Sequence, residues 1–190
     1  MYYTDDQSRN PKLGSFMASF NTDYNIVLPT RELEASYNAY IVELGDEERY
    51  PFVMDFEQQP FQSLITRLQD LASGKVVPEG AVVNHTYWLV EQEELVGVGN
   101  VRPKLNPAIA RIGGHIGFGI RPRYRNQGLG SYFLAQLVEK AREHGVSPIH
   151  LHCHASNTAS SKVIESVGGE LESHIEDAHQ GVIRRYVVHA

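Results

Sequence analysis

The sequence has one cysteine, Cys153, in 190 residues. No internal disulfide can form, and a single thiol suits a reducing compartment, so a cytoplasmic location is the expectation. No apolar run approaches the roughly 18 residues of a membrane span. The opening "MYYTDDQSRNPKLG" has no basic start followed by an apolar block, so it does not read as a secretory signal. The formal net charge is −6, which argues against a general nucleic-acid binder. Acidic residues are absent between Glu94 and Glu139, an interval holding Arg102, Lys104, Arg111, Arg121, Arg123 and Arg125. A basic island in an acidic chain suggests a local anionic ligand, with a chance run of solvated arginines as the plain alternative.

The length suits one domain with a sizeable core. Residues 1–22 are polar and poorly patterned and read as an N-terminal extension, leaving 23–190 as a single domain. "YNIVLP" (24–29) reads as a strand, 30–44 as a helix with Thr30 as N-cap and Gly45 as stop, and 45–60 as a loop. Phe61, Leu64, Ile65, Leu68 and Leu71 recur at helical spacing up to Gly74. "TYWLVEQ" (86–92) and "ELVGVGNVR" (94–102) read as a hairpin, and "ARIGGHIGFGI" (110–120) as a third long strand. A helix follows over 127–144, then a strand over 148–154, a short helix from Asn157 to Val167, and a closing hairpin. This order predicts an α+β fold, a mixed and mostly antiparallel central sheet flanked by helices, with one β-α-β crossover between residues 110 and 154.

At "IRPRYRNQGLGSYF" (120–133) an apolar strand gives way to three alternate arginines, two glycines and an amphipathic helix. The first amides of a helix lack internal partners, and the helix dipole adds positive potential there. Glycines hold no side chain between backbone and ligand, so Arg125-Asn126-Gln127-Gly128-Leu129-Gly130 has the makings of a phosphate cradle. Arg121, Arg123 and Arg125 stand beside it, able to meet further phosphate oxygens. No Lys-Ser or Lys-Thr follows the glycines, and position 133 is Phe, so neither the P-loop nor the dinucleotide fingerprint fits.

"GIRPRYRNQGLG" resembles the acetyl-CoA signature of the GNAT superfamily of N-acetyltransferases, and "NTASSKVIESVGG" resembles its downstream segment. The resemblance spans roughly residues 24–189 and extends to a branch of predicted acetyltransferases for which no substrate is implied. It implies a GNAT-like fold and acetyl-CoA as co-substrate, with an acetyl group moved by direct attack of an amine of a small molecule or protein. A non-catalytic acyl-CoA-binding module is the alternative. The resemblance places pyrophosphate on the amides of Arg125 to Ser131, which include those of Asn126, Gln127, Gly128, Leu129 and Gly130. It places pantetheine along Phe118, Gly119 and Ile120, where a free amide would polarise the acetyl carbonyl. Asn157 either reaches toward the pantetheine arm or caps its own helix. The acceptor stays unidentified, no membrane or nucleic acid is expected as partner, and a homodimer is left open.

The family often places an acidic Tyr seven residues after the Asn, and here that position is Ile164. No carboxylate lies between 95 and 138 to act as base. The titratable candidates are His115, His152 and His154, with His150 on the same alternating face of its strand as the last two. Metal ligation by that stripe lacks a completing Cys or carboxylate, so no metal is expected, and a plain polar stripe is the competing reading. Asp46, Glu47, Glu48, Asp55 and Glu57 could attract a cationic amine, with Tyr50, Phe52 and Phe56 as apolar walls; a solvated acidic loop is the alternative.

Overall fold

The computed structural model describes residues 24–189; the expected N-terminal extension lies outside them. Strand β1 (Tyr24–Val27) leads through a 3-10 turn (Arg31–Leu33) into helix α1 (Glu34–Leu44). A loop with a second 3-10 turn (Phe52–Asp55) precedes helix α2 (Phe61–Ser73). Then come β2 (His85–Glu91), β3 (Glu94–Val101), the short helix α3 (Pro107–Ile112), β4 (Ile116–Ile120), α4 (Leu129–Glu143), β5 (Ile149–His154), α5 (Thr158–Ser166), β6 (Glu170–Asp177) and β7 (Gly181–Val188).

The α+β reading holds, with helices packed on strands, and the sheet divides in two. One sheet has the order β1-β2-β3-β4, the other β5-β7-β6, and every ladder in both is antiparallel. The parallel component of the expected mixed sheet is therefore missing among the described residues. Where the crossover should pair β4 with β5, one isolated bridge joins Gly114 to Leu151. Two cores cover the larger sheet. Phe133, Leu134, Leu137, Val138 and Ala141 of α4 pack on one face with Leu89, Val96, Ile116 and Ile120. Tyr37 and Tyr40 of α1 and Phe61, Leu64, Ile65 and Leu68 of α2 pack on the other with Trp88, Val90 and Val98. The periodic apolar residues of α2 and α4 are all buried, as their 3.6-residue spacing dictates.

The third strand is shorter than its apolar pattern suggested. Asn106 caps α3 by accepting from the Ile109 amide at 2.9 Å, with Pro107 at the first helical position. Residues 110–112 are thereby helical, and β4 starts at Ile116. The left-handed Gly114 (φ 66°) makes the return. A Cβ there would lie 2.6 Å from the His150 carbonyl oxygen, so glycine is what lets this turn touch β5.

Candidate active site

β4 and β5 are the facing edges of the two sheets. They touch where the His115 amide donates to the His150 carbonyl at 2.7 Å, then separate. Hydrogen bonds from the Arg102 amide to the His115 carbonyl and from the Arg121 amide to the Val96 carbonyl, both 2.8 Å, bracket the β3–β4 ladder. Antiparallel alternation then turns the backbone of Gly117 and Gly119 toward β3. It turns the amides of Phe118 and Ile120 away, into the gap. Of the three residues expected along pantetheine, Phe118 and Ile120 present free donors and Gly119 does not. The Ile120 carbonyl already accepts from Arg125 Nε at 2.8 Å.

The turn after β4 is a run of exposed donors. The Arg125 amide is bonded to the Pro122 carbonyl (3.1 Å) and the Ser131 amide to the Gly128 carbonyl (3.1 Å). Between them, the amides of Asn126, Gln127, Gly128, Leu129 and Gly130 have no hydrogen-bond acceptor among the described residues. Asn126 (φ 61°) and Gly128 (φ 80°) are left-handed, which turns the chain into α4. Leu129 is buried in the core and pins the turn. This fits a pyrophosphate cradle two residues narrower than the one expected from sequence.

The three arginines do not stand free. Arg121 is 3% exposed and donates through Nε to Glu43 at 2.7 Å. Arg123 pairs with Glu94 at 2.6 Å, and its amide donates to Glu43 at 2.7 Å. Arg125 Nη1 pairs with Glu47 at 2.7 Å. The basic island is thus balanced locally by acids from α1, the loop after it and the start of β3. Burial raises the Glu43 carboxyl, and the bonds from Arg121 and the Arg123 amide overcome this to hold it below the usual range. The cradle's attraction for an anion falls to its backbone amides and the helix end.

The acidic loop folds over β4. A Cβ on Gly119 would lie 2.4 Å from the Tyr50 carbonyl oxygen, and one on Gly117 3.3 Å from Tyr50 Cε1 and 3.4 Å from Pro51. Two bare glycines therefore seat the loop on the strand, opposite the α4 face. Tyr50 as a residue is 44% exposed, but burial of its hydroxyl raises the phenol pKa, while Arg102, its hydrogen-bond partner, pulls the other way. The sequence marks Tyr50 only as an apolar wall and Arg102 only as one cation of the basic island; no local pattern brings the two together.

The candidate histidines separate. His115 is 9% exposed, and its Nδ1 accepts from the His150 amide at 2.9 Å. A neutral ring bonded in this way carries its proton on Nε2, so His115 presents a hydrogen-bond donor there. Burial, then His150 and Arg102, push it down to about 4. His152 lies buried under the Gly114 turn, and burial pushes it also to about 4, against a pull upward from the Ile112 backbone. A group held that low is a weak base near neutral pH, which bears against the base role expected from the free imidazole. His154 is drawn away by the Gln180 carbonyl, 3.0 Å from its Nδ1, at the β6–β7 hairpin. Among the described residues no three His, Cys, Asp or Glu side chains group as metal ligands.

Asn157 caps α5 by accepting from the Ser160 amide at 2.9 Å. The cap occupies only its oxygen, and its Nδ2 donor has no partner among the described residues. Ile164 is buried in the core beneath Gly169, where a Cβ would lie 2.4 Å from Ile164 Cγ2, so the vacant acid position does not face the gap. Cys153 lies 3.5 Å from Ser161 Oγ, and burial raises its thiol pKa, so it is no thiolate.

The profile of the acetyltransferase (GNAT) family matches residues 41–168. Among solved structures, the Salmonella typhimurium acetyltransferase that modifies the N-terminal serine of ribosomal protein L7/L12 is 15% identical, covers 90% of this chain and 96% of its own, and superposes with a TM-score of 0.66. The ribosomal-protein-S5-alanine acetyltransferase of Vibrio fischeri is 11% identical with a TM-score of 0.68, covering 90% and 94%. The microcin C7 self-immunity acetyltransferase MccE, solved with acetyl-CoA and AMP, is 13% identical with a TM-score of 0.64, covering 90% and 94%. No curated protein matches the chain. At these identities the structures share the fold.

Proposed function

The chain belongs to the GNAT acetyltransferase family, an acetyl-CoA-dependent N-acyltransferase, and on that premise we propose how its own residues carry the transfer. The non-catalytic binding module gives way to the enzyme reading. The observation that carries the assignment is the run of five unpartnered amides, Asn126 to Gly130, next to a strand edge with free donors. The cradle binds the pyrophosphate of acetyl-CoA. The Phe118 backbone and the Ile120 amide pair with the pantetheine amides as an added strand does, with Asn157 Nδ2 as a further donor. The acetyl carbonyl then lies in the gap, where a free strand amide polarises it and stabilises the oxyanion formed as the amine adds.

The acceptor enters from the side of the 45–56 loop, opposite α4. Its nitrogen must be neutral to attack. With His115 and His152 both weak bases, the amine gives its proton to solvent before it attacks. The Tyr50 phenol stays protonated and is the donor to the departing CoA thiolate, the work the missing Tyr at position 164 does elsewhere in the family, and the proton that the nitrogen loses as the tetrahedral adduct collapses returns to the phenolate through solvent. His115 offers its Nε2 proton as a fixed donor, His152 supports the turn above it, and His154 stays outside the reaction. A cytoplasmic setting belongs to this reading; among the described residues no helix is long and apolar enough to cross a membrane.

The test is CoA binding by Gly128→Val. A β-branched residue at φ 80° costs about 1–2 kcal/mol of backbone strain and covers the cradle amides. The variant melts as a folded protein and loses the thermal stabilisation by CoA seen in the wild type. Undiminished stabilisation by CoA in the folded variant removes the cradle from the mechanism.

A further inference from the structure

Arg102 is a buried cation with no anion. It is 8% exposed, and no carboxylate among the described residues pairs with it. Its Nε donates to the Gly114 carbonyl at 2.9 Å and Nη2 to the Gly113 carbonyl at 3.0 Å; the Tyr50 hydroxyl is its remaining partner. A guanidinium has five N–H bonds, so two are left over. Every other arginine of this stretch has its acid: Arg121 has Glu43, Arg123 has Glu94, Arg125 has Glu47 and Arg111 has Asp177; Lys104 is solvent-exposed. Lone buried charges are costly, because the desolvation they suffer is not returned by a partner. Neutral hydrogen-bonding side chains would hold this turn without that cost.

Arg102 also lines a cleft of about 360 Å³ with Phe52, Gly80, Ala81, Val82 and Ile109 as mostly apolar walls. Glu79 lines it too; it is solvent-exposed and forms no ion pair with Arg102. The remaining groups around the guanidinium, Tyr50, His115 and His152, hold no negative charge near neutral pH. The cleft therefore holds one buried cation, Arg102, against mostly apolar walls, with the Glu79 carboxylate exposed at its rim. Arg102 is paired across the ladder with His115, and Phe118 is three residues further along the strand, about 10 Å away.

We propose that the acceptor is a compact amine bearing its own oxyanion, a carboxylate or phosphate a short chain away from the nitrogen, and that Arg102 binds that oxyanion in this cleft. The proposal rests on the acetyltransfer reading of the gap and names its substrate class. It disfavours polypeptide amines that have no anion within that distance. The oxyanion completes the charge left open at Arg102, while the nitrogen reaches the acetyl carbonyl by the Phe118 edge.

The experiment measures CoA release by the wild-type enzyme with matched acceptors: ω-amino acids of graded length, their primary carboxamides, the corresponding aminoalkyl phosphonates, and short peptides with neutral N-terminal residues. Carboxylates or phosphonates are expected to exceed the carboxamides about 10- to 100-fold in kcat/KM, the range of a charge-assisted hydrogen bond. The better oxyanion tells the two sources apart. Arg102→Gln should erase the preference. Because Arg102 also holds the Gly113-Gly114 turn, the second readout uses wild type alone: N-acetylated carboxylates inhibit competitively against the acceptor and their carboxamides do not. Carboxamides or neutral peptides matching the oxyanion-bearing amines overturn the proposal and leave acetyltransfer standing. CoA binding without turnover of any amine overturns both.

Discussion

Gly119→Ala probes the contact on which the site depends. The new Cβ would sit 2.4 Å from the Tyr50 carbonyl oxygen, about 1 Å inside ordinary contact. That neighbour is backbone and cannot rotate away. It belongs to a loop tied down by buried Pro51, Val53 and Met54, and by the Met54 amide bonded to the Pro51 carbonyl at 2.9 Å. The loop must lift, carrying the Tyr50 phenol with it. Overpacking of this kind costs about 1–3 kcal/mol. For a chain of this length that lowers Tm by about 2–12 °C. A displacement near 1 Å at a catalytic group lowers kcat by about 100-fold. The cradle amides lie elsewhere, and Gly119 turns its own amide toward β3, so stabilisation by CoA should persist. The measurements are a thermal melt with and without CoA and a steady-state assay with the best acceptor. Wild-type kcat at wild-type Tm refutes the reasoning, and loss of CoA binding with kcat intact refutes the separation of loop from cradle.

Tyr50→Phe removes the proposed proton donor without moving the ring, and should lower kcat by about 10²-fold with CoA affinity unchanged; an unchanged rate returns the acid role to solvent. His115 and His152 are held neutral down to about 4, below the ordinary value of 6.5, so stability is complete above that value and is lost as pH falls from 6.5 toward 4. Unfolding near pH 5 should take up about two protons on their account, fewer by one in His152→Gln, and the pH profile of kcat should show no histidine limb at 6–7; a limb there that vanishes in His115→Asn would reinstate histidine as base. Glu43→Gln leaves Arg121 buried without its anion and loosens the turn, so Tm should fall and the CoA Kd rise; the wild-type advantage, which comes from a carboxyl held below its ordinary range, should fade as pH drops through that lowered value.

What the sequence determined by itself was local. The 3.6-residue spacing in α2 and α4, the left-handed glycines that end α2 and follow α4, and the strand-turn-helix passage at 120–133 all act within a few residues, so reading them needs no partner. The cradle is legible for the same reason: its donors are consecutive amides. Asn106-Pro107 was a local cap too, and the alternating Ile116, Phe118 and Ile120 masked it by suggesting a longer strand. The rest depended on distant parts of the chain. Arg121 meets Glu43 and Arg125 meets Glu47, each across 78 positions, so an apparent basic island became a neutralised scaffold. Tyr50 reaches β4 because Gly117 and Gly119 leave room for a loop nearly 70 residues earlier in the chain. The histidines share one alternating strand pattern, yet burial holds His152 neutral, and His115 has its tautomer set by an amide from β5. A proton affinity depends on solvent exclusion and on charges within a few ångströms, and only tertiary packing brings those together.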